Sequence, residues 1–502
     1  MIKETLRFAT ERKTFHLFIC VYILISLIGM YFTPLFDEDE GFFAEASRQM
    51  LATGDYVTIN VNGEERYDKP ALFFWINALS LKLFGINEFA VRLPSFIFFI
   101  LTLIQLYNFS KKYFQVSTAY ISVVLMIIIL QFQVLGRASV SDNLLNLLVA
   151  SALISFYNFE QNSRQRSLFA MYTFAGLGLL TKGPVAFVII FGVIFFNLIF
   201  TQNLKFFRKL LHPLFILWSF LIPLPWFYLA YKKSGEFLFH DFLIKHNIGR
   251  FTNTMESHGG YFWYYIPVLF LAFLPFSHLI IPAFKNTTFN RKNIFLATWF
   301  LVPIILFSFS KTQLHHYISI GFFPLIILIS QVKTFNPLPM FLQILLLLIL
   351  FTLLPLFVHQ LDIHDEFVNN LLQSSSTVFN KLYTAFMVGL ILLAVFLYFF
   401  FREKLLSLLL VFLLATTVFI YKFSILQQGT VKEMGLKLKN TPQKVFMNDH
   451  YNPSLSFYAQ RVFKINKNPS LGDTLFVKYS EKFKKENIVI SQKKGYLLLI
   501  KK

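Results

Sequence analysis

Charge is what this chain most lacks. Asp, Glu, Lys and Arg make up 14% of its 502 residues, against about 25% in soluble domains. A water-facing globular surface for a chain this long is therefore excluded. Cysteine is nearly absent too. Cys20 alone leaves nothing to staple the fold and says nothing of the redox compartment. Acids are scarcer than bases, 26 against 46. The alternating pattern of a β-barrel is missing, as is a small-residue cleavage site after the first apolar stretch, so that stretch is expected to stay as a helix. Zinc spacings of the HxxxH or HExxH kind do not occur. Nor does any internal repeat of about 20–50 residues.

Hydrophobic residues, in contrast, fill 56% of the chain, and 66 of them are Phe. Apolar runs of roughly 17–25 residues recur from end to end, each long enough to cross a bilayer as a helix. The fold class expected is an all-α polytopic membrane protein. Spans fall at about 15–35, 93–110, 118–135, 142–159, 167–181, 184–200, 211–231, 261–284, 293–309, 316–332, 338–358, 381–401 and 404–425, about thirteen in all. The net charge is +20. Its Lys and Arg are scattered over short loops and the C-terminal tail, which argues against nucleic acid as a partner. The pattern fits cytoplasmic loops and attraction to anionic lipid and phosphate.

Lys111-Lys112, Arg164/Arg166, Lys205/Arg208/Lys209, Arg291/Lys292, Lys333 and Arg402/Lys404 fall on alternate loops, the side expected to face the cytoplasm. The opposite side, expected to be periplasmic, carries 37–91, 136–141, 181–184, 232–260, 310–316, 359–380 and the tail after 426. Segment 37–91 is too long for a plain connection. A helix over 40–53 should stop at Gly54. A second, over 69–84, should open beside Pro70 and end at Gly85. Both are expected to lie along the membrane surface. The resulting organisation is a transmembrane domain over 1–426 and a small soluble α/β domain over 427–502, where short β-like runs alternate with Pro, Asn and Gly.

Several polar clusters share the non-cytoplasmic side. Helix packing has no need to sort Asp, Lys, His and Arg to one face, so a site is expected there. Asp37, Glu38, Asp39 and Glu40 open the 40–53 helix. Asp37 and Glu38 read as solvated caps; Asp39 and Glu40 read as candidates for chemistry. Glu40, Ala44 and Arg48 share a helical face. Tyr67-Asp68-Lys69-Pro70 puts a cation beside free backbone N–H groups, a phosphate-binding arrangement, although a snorkelling Lys would look the same. Arg137 and Asp142 flank a tight turn as a structural ion pair or part of a site. Thr181-Lys182-Gly183-Pro184 places Lys182 against the charge rule. His246, Arg250 and His258 join Lys311, His315, His316 and Tyr317, where Arg and Lys suit a phosphate. A divalent metal could be held by histidines with Asp68 or Glu40, the candidates being Asp68, His246 and His258. No other cofactor is indicated.

These residues carry a resemblance. Asp39-Glu40-Gly41-Phe42, Ala44-Glu45-Ala46-Ser47-Arg48, Gly54-Asp55-Tyr56, Tyr67-Asp68-Lys69-Pro70-Ala71-Leu72, Trp75, Leu83-Phe84-Gly85 and Arg92-Leu93-Pro94-Ser95 look like the N-terminal signature of bacterial GT-C glycosyltransferases. The relatives are the lipid A aminoarabinose transferases and the protein O-mannosyltransferases. The match continues in order through Arg137…Asp142, Leu180-Thr181-Lys182-Gly183-Pro184, His246…Arg250-Phe251, His258 and Ser310-Lys311…Tyr317. It covers about the first 330 residues, and the tail carries no matching motif.

The resemblance implies an inverting inner-membrane enzyme that takes a sugar from a polyprenyl-phosphate donor at the periplasmic face. The acceptor would be lipid A, a glycan or a protein. Asp39 matches the catalytic carboxylate, with Glu40 beside it. Lys69 matches the Lys that holds the donor phosphate, supported by Arg250, Tyr317 and Lys311. Arg48, Asp68, Arg137, Asp142, Lys182, His246 and His258 would bind substrate or support the site. Two positions depart from the pattern: Asp68 stands where relatives often carry Glu, and Phe42 or Phe43 where they often carry Tyr. A lipid-linked-sugar transporter or flippase is the alternative. It would call for ionisable residues at mid-membrane and related halves, and neither is present. A non-catalytic scaffold would give no reason for Lys69 and Lys182 to stand where orientation rules disfavour them.

Overall fold

A computed structural model describes residues 12–254, 259–285, 288, 290–401, 404–442, 444–448, 451–466 and 468–502. It is mostly helical. Among the described residues six helices are long and apolar enough to cross a membrane, or eight if each of two bent pairs is one span. They are Arg12–Phe32, Glu88–Tyr113, Arg291–Ser308, Pro337–Val358, Lys381–Phe400 and the long helix ending at Leu438. The bent pairs are Pro213–Leu221 with Leu224–Ser234, and Tyr265–Ala272 with Ser277–Lys285. The other expected spans fall on shorter or less apolar helices, among them Val116–Ile128, Asp142–Asn162, Gln165–Lys182, Pro184–Phe200 and Tyr317–Ser330.

The chain divides into two compact units. The first comprises Met1–Tyr22, Tyr67–Ile76 and Pro94–Gln343; the second comprises Ile23–Arg66, Asn77–Leu93 and Ile344–Lys502.

In the first unit Gln165–Lys182 packs beside Asp142–Asn162 and Pro184–Phe200. The turn between Lys182 and Pro184 depends on Gly183. Its φ of 76° and ψ of −154° lie in a region open essentially to glycine. A Cβ there would stand 2.5 Å from Phe242 Cζ. Pro184 takes the first helical position, where its fixed φ suits the helix and its missing N–H costs nothing.

In the second unit the helix Asp39–Thr53 begins on acids and ends at Gly54, whose φ of 73° caps it in the left-handed region. A short hairpin pairs Asn60–Val61 with Glu64–Glu65. Asn62 and Gly63, both at positive φ, form its turn, the residue pair such a hairpin favours. The helix expected over 69–84 is observed over Leu72–Phe84.

Past the apolar helices, four strands form a sheet in the order Val445–Met447, Thr474–Lys478, Tyr496–Lys501, Asn487–Lys493. The first pair is parallel and the others antiparallel, with Leu475 opposite Leu499. One face buries Met447, Phe476 and Tyr496 against Val431, Met434, Leu438, Leu455 and Phe463. The opposite face gathers Leu475, Val477, Leu497 and Leu499. Residues of the Lys404–Leu438 helix thus build the sheet's core. That helix continues past residue 426 without a break.

Candidate active site

The first unit brings Lys69, Lys182 and Arg250 to one cavity of about 600 Å³. Lys182 ends one helix and Asp142 opens another, each at the terminus whose dipole favours its charge. Lys182 Nζ lies 2.7 Å from Asp142 Oδ1 and 5.1 Å from the centre of the Tyr317 ring. His316 Nε2 stands 3.9 Å from the same carboxylate. Arg137, the partner considered for Asp142 on sequence, donates instead from Nη2 to Gln133 Oε1 at 2.6 Å. Arg250 Nη1 donates to the Tyr317 hydroxyl at 2.9 Å. Tyr317 therefore organises two cations at once, one over its ring and one at its oxygen.

Backbone bonds hold this arrangement. Lys311 N donates to Phe251 O and Thr312 N to Arg250 O, both at 3.0 Å. Ser310 Oγ donates to Arg250 O at 3.1 Å. Ser310 lines the cavity, whereas Lys311 contributes its N–H and is exposed. His258 lies outside the described residues.

A buried triad forms a second wall. His246 Nε2 lies 2.9 Å from Asp68 Oδ1 and 3.5 Å from Asp241 Oδ1. Asp241 also accepts from Tyr67 N at 2.8 Å and Lys245 Nζ at 2.9 Å. Burial works against the His246 cation, but bonds to Asp241 and Asp68 outweigh it and hold the imidazole above its ordinary value. Burial likewise opposes the Asp241 carboxylate, yet the His246, Lys245 and Tyr67 donors bring it down to about 2. The three residues offer ligand atoms within 4.8 Å of one another. Two carboxylates and an imidazole are a chemically sound donor set for a divalent cation.

Asp241 was missed on sequence. It and His246 lie on a π-helical turn, His240–Gly249, where residues five apart come onto one face; a π-turn leaves no mark in the apolar pattern.

Lys69, Asp68, Lys182, His246, Arg250 and Tyr317 thus share one cavity, completed by Val185, Val188, Ile244, Ile248, Leu306 and Phe307. An apolar wall with a few convergent cations suits a ligand that is lipid at one end and anionic at the other.

The acids expected to do chemistry lie in the second unit and differ sharply from one another. Glu40, 2% exposed, accepts from Arg92 Nε at 2.8 Å and Nη2 at 2.6 Å, and from Phe36 N at 3.0 Å. Arg48 is closed into a bidentate pair with Glu45, both bonds 2.7 Å, which also accepts from Gln49. Asp39 is exposed in the first helical turn.

Asp37 is not a cap. Its Oδ1 accepts from Ser454 N at 3.1 Å and Ser454 Oγ at 2.6 Å. Burial outweighs those bonds and pushes its carboxyl from 3.8 up to about 7. An acid with a raised folded value contributes stability fully below 3.8, and loses it as pH rises through about 7. Asp37→Asn, the neutral isostere, should therefore raise the thermal midpoint over the parent at pH 8. The gap should narrow towards pH 5. A gap independent of pH would refute this.

The comparisons with known proteins agree with this architecture. The family of dolichyl-phosphate-mannose-protein mannosyltransferases matches residues 68–228. An undecaprenyl phosphate-alpha-4-amino-4-deoxy-L-arabinose arabinosyl transferase of Aeromonas salmonicida is 30% identical over 326 residues, 62% of this chain and 58% of the relative. The enzyme of the same name from Erwinia tasmaniensis is 30% identical over 326 residues, with 63% and 58% covered. The chain thus spans less than two thirds of the length of these curated relatives. In structure it is similar to ArnT from Cupriavidus metallidurans bound to undecaprenyl phosphate, with a TM-score of 0.79 at 18% identity over 96% of this chain and 97% of that one. The apo form of that protein gives 0.80. The chain thus shares the fold of that ArnT structure and, over part of its length, is similar to the aminoarabinose transferases and to the dolichyl-phosphate-mannose-protein mannosyltransferases.

Proposed function

We propose that this chain is an inner-membrane glycosyltransferase that moves a sugar from a polyprenyl-phosphate donor to lipid A, a glycan or a protein. The cavity of about 600 Å³, cationic around Lys69, Lys182 and Arg250 and apolar beyond, carries the reading. Undecaprenyl phosphate, named for the similar ArnT structure, has the two-ended chemistry such a cavity takes.

In the reaction, an acceptor oxygen (a hydroxyl of a glycan or protein, or a phosphate oxygen of lipid A) attacks the anomeric carbon as the bond to the lipid phosphate breaks, with inversion. Asp39 activates or orients that oxygen, taking its proton where the acceptor is a hydroxyl. Negative charge grows on the departing phosphate, and fixed cations stabilise it more in the transition state than in the ground state. Lys69 and Arg250 are assigned to that phosphate. Tyr317 holds Arg250, and Asp142 holds Lys182. Asp68, Asp241 and His246 fit a divalent cation, which when bound would supply further positive charge near the phosphate.

The apolar runs support about thirteen spans, the change of composition after 426 a transmembrane part over 1–426 and a smaller part over 427–502 with the Lys404–Leu438 helix crossing between them, and the loop charges a periplasmic site. A flippase would also bind the donor but would leave the sugar–phosphate bond intact.

Purified protein should therefore transfer 4-amino-4-deoxy-L-arabinose from its undecaprenyl phosphate to lipid A, or cells with and without the gene should differ in a sugar on lipid A, glycoprotein or surface polysaccharide. Mass spectrometry reads both. Identical spectra together with no transfer would sink the proposal.

A further inference from the structure

We propose that the helix Pro453–Ala459 positions Asp39, with Ser454 and Tyr458 as positioning residues that act through the backbone on both flanks of the acid. The inference rests on the reading of Asp39 as the acceptor-activating carboxylate. It gives the C-terminal region a part in the reaction.

The contacts bracket Asp39 within the second unit. On its N-terminal side Leu35 N donates to the Tyr458 hydroxyl at 2.8 Å. That hydroxyl donates on to Glu88 Oε1 at 3.1 Å, and Lys432 pairs with the same Glu88. Two residues before the acid, Asp37 Oδ1 takes both Ser454 donors. On the C-terminal side Gly41 lies so close that a Cβ would stand 1.9 Å from Asp37 Oδ1 and 2.5 Å from Ser454 Oγ. Ala44, a turn further on, packs with Leu35, Leu81, Ala90, Phe457 and Tyr458 in one buried cluster.

Ser454 is fully buried and Tyr458 is 5% exposed, so these bonds do not compete with water. Asp39 itself stays exposed. A catalytic group left open to its substrate has few contacts of its own, and its place is set by its neighbours. Here the neighbours at 35, 37, 41 and 44 all meet one seven-residue helix.

The test uses the full-length purified protein. Ser454→Ala removes one donor, Ser454→Thr keeps the hydroxyl, and Tyr458→Phe keeps the ring but not the oxygen. Transfer at saturating donor, affinity for undecaprenyl phosphate and thermal midpoint are measured for each. Ser454→Ala and Tyr458→Phe should each lower the saturating rate about tenfold or more, the scale of a small misplacement of a catalytic group. Undecaprenyl phosphate affinity should stay within about twofold, and Ser454→Thr should recover most of the rate.

Parental rates in both variants would overturn the inference. So would a rate that falls only in step with the folded fraction, as a merely structural helix would give. Failure of the underlying reading looks different: Asp39→Asn would then transfer at the parental rate.

Discussion

Asp39→Asn is expected to cut sugar transfer by about 10²- to 10⁴-fold, the range a general base contributes. Undecaprenyl phosphate affinity and the amount of folded protein should stay near those of the parent. The substitution keeps the shape of the side chain and removes only its capacity to take a proton. Asp39 is exposed in the first turn of its helix, so little packing is disturbed. Its neighbour offers the contrast. Glu40 is buried, and both its oxygens already accept hydrogen bonds from Arg92 and the Phe36 N–H, so it is held by the fold rather than presented to an acceptor. Glu40→Gln should therefore act mainly on stability. Initial rates at saturating donor, with binding measured separately, divide the two effects. An Asp39→Asn protein that turns over at the parental rate would remove the assignment.

What could be read ahead of the structure follows the range of the interactions. The helix Asp39–Thr53 was legible because its signals are local: acids at the start and Gly54 at the stop. The Thr181–Pro184 turn was legible for the same reason, as Gly183 and Pro184 each answer a backbone requirement on the spot. Lys69 was expected at a helix start, yet the helix begins at Leu72, a few residues past Pro70. Asp68, Lys69 and Arg250 were singled out and do line one cavity.

What stayed hidden was pairing across distance. Asp142 takes Lys182, 40 residues away, rather than the nearby Arg137. Asp37 reads locally as a cap, but its carboxylate goes to Ser454, 417 residues on. No periodicity encodes such partners, because they are chosen by how the helices pack.

Arg92 carries the second large expected effect, and it follows from the same long-range pairing. All three guanidinium nitrogens are used: Nε and Nη2 to Glu40, Nη1 to the carbonyls of Met30 and Thr33, and Nη2 also to Pro34 O at 2.9 Å. The side chain is 3% exposed. It thereby ties the last turn of the Arg12–Phe32 helix and the residues after it to the start of the helix bearing Asp39. Arg92→Met keeps much of the volume but leaves the buried Glu40 carboxylate without its guanidinium and strips three carbonyls of a donor. Breaking a buried pair from one side costs about 3–5 kcal/mol, a large part of the stability of a typical domain. A steep fall in thermal midpoint and in recovered folded protein is the expected result. Arg92→Lys should recover little, since one ammonium cannot reproduce the planar fork. Adding Glu40→Gln to Arg92→Met should restore part of the loss, because the buried negative charge that the guanidinium faced is then gone; a double-mutant cycle measures that coupling. An Arg92→Met protein as stable as the parent, or a double variant whose losses simply add, would show that the pair does not hold this segment in place.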